Sequence, residues 1–213
     1  MKTKIFTFLI LISVSLFSHN HWIYVDNYSP ARGEKINLEI CSGHKFPKSS
    51  YLLKKKFIKD TFIKEKASST PFYIEKSIVS WKSGIVIKSK GRHTINFSLK
   101  KRSGKGTLYR GKAIIFSGKN ISEKTLNLTG EGLELQLYGL NSNTKAGDKC
   151  NISTFFNGKK IKFNCTVIRE GGKPLYLNSN KEKFAEFTIK KPGLYLITVN
   201  YKGKGSSLTF MVR

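Results

Sequence analysis

From Trp22 onward the apolar residues fall in short runs with period two, and nowhere does the three-to-four spacing of a long amphipathic helix persist. The clearest run is Lys35-Ile36-Asn37-Leu38-Glu39-Ile40-Cys41, which alternates polar and apolar residues. This is the signature of a strand with one buried face, and it predicts Ile36, Leu38 and Ile40 as inward residues. The alternation breaks at Ser42-Gly43-His44-Lys45-Phe46-Pro47, where Gly and Pro bracket a loop. Further strand signals lie at 22–25, 72–74, 77–81, 84–88, 93–99 and 112–116. Residues 48–66 fit a short helix or an irregular insert equally. Short strands at this spacing, separated by Gly and Ser clusters, predict a β-sandwich.

A polar, Gly-containing segment at 119–132 reads as a linker. It divides a first domain, 19–118, from a second, 133–213, with strands expected at 133–138, 149–156, 160–168, 184–189, 194–201 and 207–212. Asn157-Gly158 predicts a type I′ hairpin. In that register Phe156 faces Lys159, and Cys150 faces Cys165 on the inward side. A cross-strand disulfide is one expectation for the pair, and two buried thiols packed as small apolar groups are the other. Cys41 would then be left over.

The first 18 residues have the layout of a secretory signal peptide: Lys2 and Lys4, then an uncharged apolar run from 5 to 17, then small and polar residues. The run is shorter than the roughly 20 residues of a membrane span. A cut after Ser18 would start the mature chain at His19, whereas a cut after Ser15 would leave three residues before it. Export places the protein in the periplasm or outside the cell.

A chain beginning His19-Asn20-His21 offers an α-amine and two imidazoles. With deprotonated backbone nitrogens these make a square-planar set suited to Cu(II) or Ni(II). The amine and ring of His19 could also chelate together, with His21 or His44 completing the shell. His93, in a β-prone stretch, reads as a structural residue.

Lys and Arg number 39 against 13 Asp and Glu, a formal net charge of +26. A surface so basic is drawn to polyanions, and outside the cytoplasm those are anionic lipid headgroups or cell-wall polymers. The same excess also follows from plain use of Lys as a surface residue. No nucleic-acid-binding motif accompanies it, so nucleic acid is not an expected partner. Gly-x-Ser-x-Gly, His-Glu-x-x-His and phosphate-binding glycine loops are missing, and no catalytic carboxylate pair stands out. The expectation is a non-enzyme.

Ser18-His19-Asn20-His21-Trp22, Gly43-His44-Lys45-Phe46-Pro47, Gly147-Asp148, Asn157-Gly158-Lys159 and Pro192-Gly193-Leu194-Tyr195 together resemble the motifs of a family of exported bacterial proteins. That family, a domain of unknown function, is described as the additional periplasmic, NikK-like component of nickel uptake systems. The resemblance implies two Ig-like antiparallel β-sandwich domains, His19 and His44 as metal ligands, and delivery of Ni(II) or a related ion to a membrane transporter. His21 stands where the family often has an aromatic residue, so no role for it carries over. The alternative function is a structural or adhesive Ig-like module whose basic faces bind anionic polymers or lipid headgroups.

Overall fold

The computed structural model describes residues 20–65, 68–101, 107–121 and 128–213. The expected signal peptide, its cleavage site and His19 lie outside them, as do residues 122–127 of the expected linker.

The fold is all-β, with sixteen strands among the described residues. The first half contributes β1 (Asn20–Val25), β2 (Lys35–Gly43), β3 (Ile58–Glu65), β4 (Ser68–Pro71), β5 (Glu75–Lys76), β6 (Trp81–Val86), β7 (Gly91–Lys100) and β8 (Thr107–Ser117). The second contributes β9 (Leu133–Tyr138), β10 (Lys149–Phe156), β11 (Lys159–Ile161), β12 (Asn164–Arg169), β13 (Leu175–Asn178), β14 (Phe184–Thr188), β15 (Gly193–Tyr201) and β16 (Lys204–Val212). Within the expected helix or insert at 48–66, the described residues 48–65 hold a 3₁₀ turn, Lys55–Phe57, leading into β3.

One eight-stranded sheet, in the order β13-β12-β15-β16-β8-β7-β3-β4, runs through both halves. Its neighbours are antiparallel except in the middle, where β16 and β8 pair in parallel from Gly205↔Tyr109 to Thr209↔Ala113. This parallel seam departs from the purely antiparallel expectation. It arises because each half ends on a strand running in the same direction, and the two terminal strands meet side by side.

Side chains alternate across that sheet, so the two cores form on its opposite faces. Ala113 and Ile115 of β8 join the first core, with Ile36, Leu38 and Ile40 of β2 buried among Ile23, Ile95 and Phe97. Ile114 and Phe116 of the same strand join the second core, with Leu208, Phe210 and Val212 of β16 and Leu133, Leu135 and Leu137 of β9. The sheet β1-β2-β6-β5 covers one face, and the strands β9, β10, β11 and β14 cover the other. Each fully buried aliphatic or aromatic side chain contributes about 1.5–3 kcal/mol of transfer free energy.

Strand β1 is an edge of its own sheet, and hydroxyls close its outer side. Ser207 Oγ and Tyr109 Oη donate to the carbonyl of His21 at 2.6 and 2.9 Å, and Thr209 Oγ1 donates to that of Ile23 at 2.7 Å. Burial pushes the Tyr109 hydroxyl up to about 12, despite its contacts with Ser207 and His21, so it remains a donor. An edge that would otherwise invite another strand is satisfied within the chain.

Candidate functional site

The β1–β2 register sets His21 opposite Ser42 and Asn20 opposite Gly43. His44, the next residue of β2's exit loop, therefore lies at the end of the sheet where the chain enters. The strand alternation that buries Ile23 and Val25 also turns His21 inward. Its Nδ1 is 2.8 Å from Ser42 Oγ, and its ring meets Tyr109 edge-on at 4.9 Å between centroids. His44 is exposed. Its loop is fastened by Trp22, whose Nε1 donates to the Pro47 carbonyl at 3.1 Å and whose ring packs edge-on against Phe46.

Of the three predicted metal ligands, two thus reach one corner of the molecule, and His19 lies outside the described residues. Among the described residues, no group of three or more His, Cys, Asp or Glu side chains is arranged to hold a metal ion. His93 is fully buried, with Nε2 2.9 Å from the Ser89 carbonyl and Nδ1 3.5 Å from Glu65 Oε1, as its structural reading expects.

Beside His21 opens a pocket of about 400 Å³, lined also by Tyr109, Asn200, Lys204 and Gly205. Its rim is the β15–β16 turn, in which Lys202 and Gly203 take positive φ of 49° and 69°, the pattern of a tight hairpin. The turn meets the Asn157-Gly158 hairpin, whose two residues also have positive φ, as predicted.

Where the two turns meet, lysines lie over rings. Lys204 Nζ sits 5.0 Å from the Phe156 ring centroid, Lys202 Nζ 5.4 Å from Tyr201, and Lys160 Nζ 5.9 Å from Phe184. Phe156 and Tyr201 pack together at 5.3 Å. Lys183 Nζ donates to the Lys160 carbonyl at 3.0 Å, which adds a fourth ammonium. The sequence alone does not reveal this cluster because its members come from three separated segments, 156–160, 183–184 and 201–204. A larger groove of about 930 Å³ runs beside Tyr24, Asn37, Glu39, Tyr73 and Lys82, and mixed charges line it.

The expected Cys150–Cys165 disulfide is not formed. The hairpin register is the predicted one, with Phe156↔Lys159 and Thr154↔Ile161. After Ile161, however, the chain crosses to the other layer of the sandwich. Cys165 then pairs with Val199 of β15 and Leu177 of β13, while Cys150 pairs with Phe187 of β14. Both side chains enter the same core from different sheets. Cys41 is buried beside Trp22 and Leu196, and burial pushes the Cys41 and Cys165 thiols up to about 12, away from ligand chemistry.

No family model matches the chain, and no curated protein matches it. Among solved structures it is similar to a tetra-tandem repeat in the extending region of a large adhesion protein (TM-score 0.33, 12% identity), covering 91% of this chain and half of that one. It is also similar to tandem Ig domains of titin (TM-score 0.29, 10% identity, 92% of this chain and 97% of that one). A third similarity is to fibronectin(III)-like modules from Clostridium thermocellum (TM-score 0.26, 12% identity, 90% and 94%).

Proposed function

We propose that this protein is an exported, non-catalytic β-sandwich module that binds anionic polymers through the basic corner formed by the β10–β11 and β15–β16 turns. The observation that carries the reading is the set of ammonium groups of Lys160, Lys202 and Lys204 held over Phe184, Tyr201 and Phe156. A cation over a ring gains about 0.5–1 kcal/mol at exposed sites, so these lysines present charge at fixed positions. The threefold excess of Lys and Arg over Asp and Glu supplies the long-range attraction that concentrates a polyanion at the surface. Binding to inorganic polyphosphate is expected to weaken roughly tenfold between about 0.05 M and about 0.5 M salt, as screening shortens the reach of the field, and to ignore chelators. Titration by fluorescence anisotropy checks this; affinity that is independent of salt would defeat the reading.

A second reading, a NikK-like accessory that presents Ni(II) or Cu(II) to a membrane transporter, draws support from the β1–β2 register, which brings His21 and His44 to one end of the sheet. His19 would be the third ligand. In calorimetry with Ni(II), His44→Ala is expected to weaken binding at least about tenfold, the loss of one imidazole ligand, without changing the thermal midpoint. Unchanged affinity would remove His44 from the set.

A further inference from the structure

The parallel seam and the strand beside it bury a lysine, an amide and a carboxyl that the surface-binding reading does not use. Lys112 on β8 and Asn96 on β7 are direct cross-strand partners, so their side chains share one face of the sheet. They are 6% and 7% exposed. Glu134, fully buried on β9, meets Lys112 from the other layer, with Oε2 at 3.3 Å from Lys112 Nζ. Phe62 and Leu208 flank the pair in the same row across the sheet.

We propose that Lys112 and Asn96 join in an intramolecular isopeptide bond, with Glu134 carrying the proton between them. Nζ attacks Cγ of Asn96, the Nζ–Cγ bond forms, and the Cγ–Nδ2 bond breaks. Glu134 takes a proton from the Lys112 ammonium before the attack and returns one to the departing nitrogen. The remaining Nζ proton displaced by amide formation leaves on that same nitrogen, which departs as ammonium. No oxidant, reductant or other reactant is consumed.

The surroundings favour each step. Burial pushes the Lys112 ammonium below its ordinary range, although Glu134 opposes the shift, which eases formation of the neutral amine. Burial alone would raise the Glu134 carboxyl, but Lys112 and the donors of Thr129 outweigh it and keep Glu134 ionised beside the Lys112 ammonium. The Asn96 Nδ2 already donates to the Thr94 carbonyl at 2.9 Å and to Thr94 Oγ1 at 3.2 Å, so the leaving nitrogen has acceptors on its own strand. In the ion-paired state Nζ also donates to the Leu135 carbonyl at 3.4 Å. Directly paired residues have Cα atoms only about 4.5–5.5 Å apart, so rotation of the four-methylene Lys112 side chain brings Nζ to the Asn96 amide.

Intact mass spectrometry of the full chain under denaturing conditions, with its N-terminus determined in the same sample, tests the proposal. The expected mass is lighter than the sequence mass by one ammonia, and protease digestion yields a branched peptide joining the segments of Asn96 and Lys112. Asn96→Ala and Lys112→Arg restore the full mass. A succinimide at Asn157-Gly158 would lose one ammonia too, but hydroxylamine cleaves a succinimide and leaves an isopeptide bond intact. Full mass in the wild-type chain, or a loss that maps to Asn157, overturns the proposal even if the variants do not fold.

Discussion

In an Asn96→Ala background, where Lys112 keeps its ammonium, Glu134→Ala lowers the free energy of unfolding by about 3–5 kcal/mol, the cost of leaving a buried charge without its partner. Glu134 is fully enclosed on β9 and accepts from the Thr129 amide and hydroxyl and the Gly130 amide, in addition to Lys112. Removing the carboxylate strands the Lys112 ammonium in the interior and leaves three donors unmet. Since Lys112 lies on the strand shared by both cores, the loss is expected in one cooperative transition, read by urea denaturation. The pH dependence has a definite sign. Glu134 is held below the ordinary carboxylate range in the folded protein, so its contribution is complete above the unfolded value of about 4.3. It disappears as pH falls through the depressed folded value. The difference that Glu134→Ala makes in the Asn96→Ala background should therefore narrow only in strong acid, and a difference of under about 1 kcal/mol at neutral pH would show that the pair contributes no more than an exposed one.

Trp22→Ala is expected to cost about 3–5 kcal/mol, the range for deleting a buried aromatic side chain. Trp22 is 1% exposed and packs with Cys41 and Leu196, between the edge of the smaller first-half sheet and the face of β15. Its indole N–H also fastens the His44 loop through Pro47. Trp22→Phe keeps most of the packing and loses that hydrogen bond, worth about 1 kcal/mol. The two variants together separate burial from loop fastening: proteolytic nicking near 44–47 should rise in both, while the large drop in thermal stability should appear only in Trp22→Ala.

Most strands were readable in the sequence because period two survives wherever one face is wet. β9 and β10 have the expected bounds, 133–138 and 149–156, and β2 buries Ile36, Leu38 and Ile40 as its alternation requires. β3 escaped recognition because the pairing register shifts between Ile58 and Asp60, which disrupts the alternation on which the reading depends. β13 escaped because it is a sheet edge whose Leu175 and Tyr176 are exposed. At 72–74, expected as a strand, Phe72 fills the first core as part of a connection while Tyr73 is 94% exposed.

The disulfide expectation failed for a reason invisible to pattern. Phe163, Cys165 and Val167 keep an unbroken inward period while the chain passes from one sheet to the other around one core. A strand that changes layers around one core looks like a strand that continues. The candidate site was only half legible. His21 and His44 stood out as residue types beside a loop signal, whereas the lysine and ring cluster depends on two turns 44 residues apart, at Gly158 and Lys202, coming together in three dimensions.

The most direct measurement is polyphosphate binding by the Lys160→Ala, Lys202→Ala, Lys204→Ala triple variant at low salt, with its thermal midpoint recorded alongside. If the corner is the binding site, affinity falls at least about tenfold, more than three charges spread over a uniformly basic surface would remove, while the midpoint stays near that of the wild type. A triple alanine variant elsewhere, at the exposed Lys119, Lys145 and Lys190, should then bind almost as tightly as the wild type. Equal losses in the two variants would contradict the account, since binding would then follow net charge and not the arrangement at this corner.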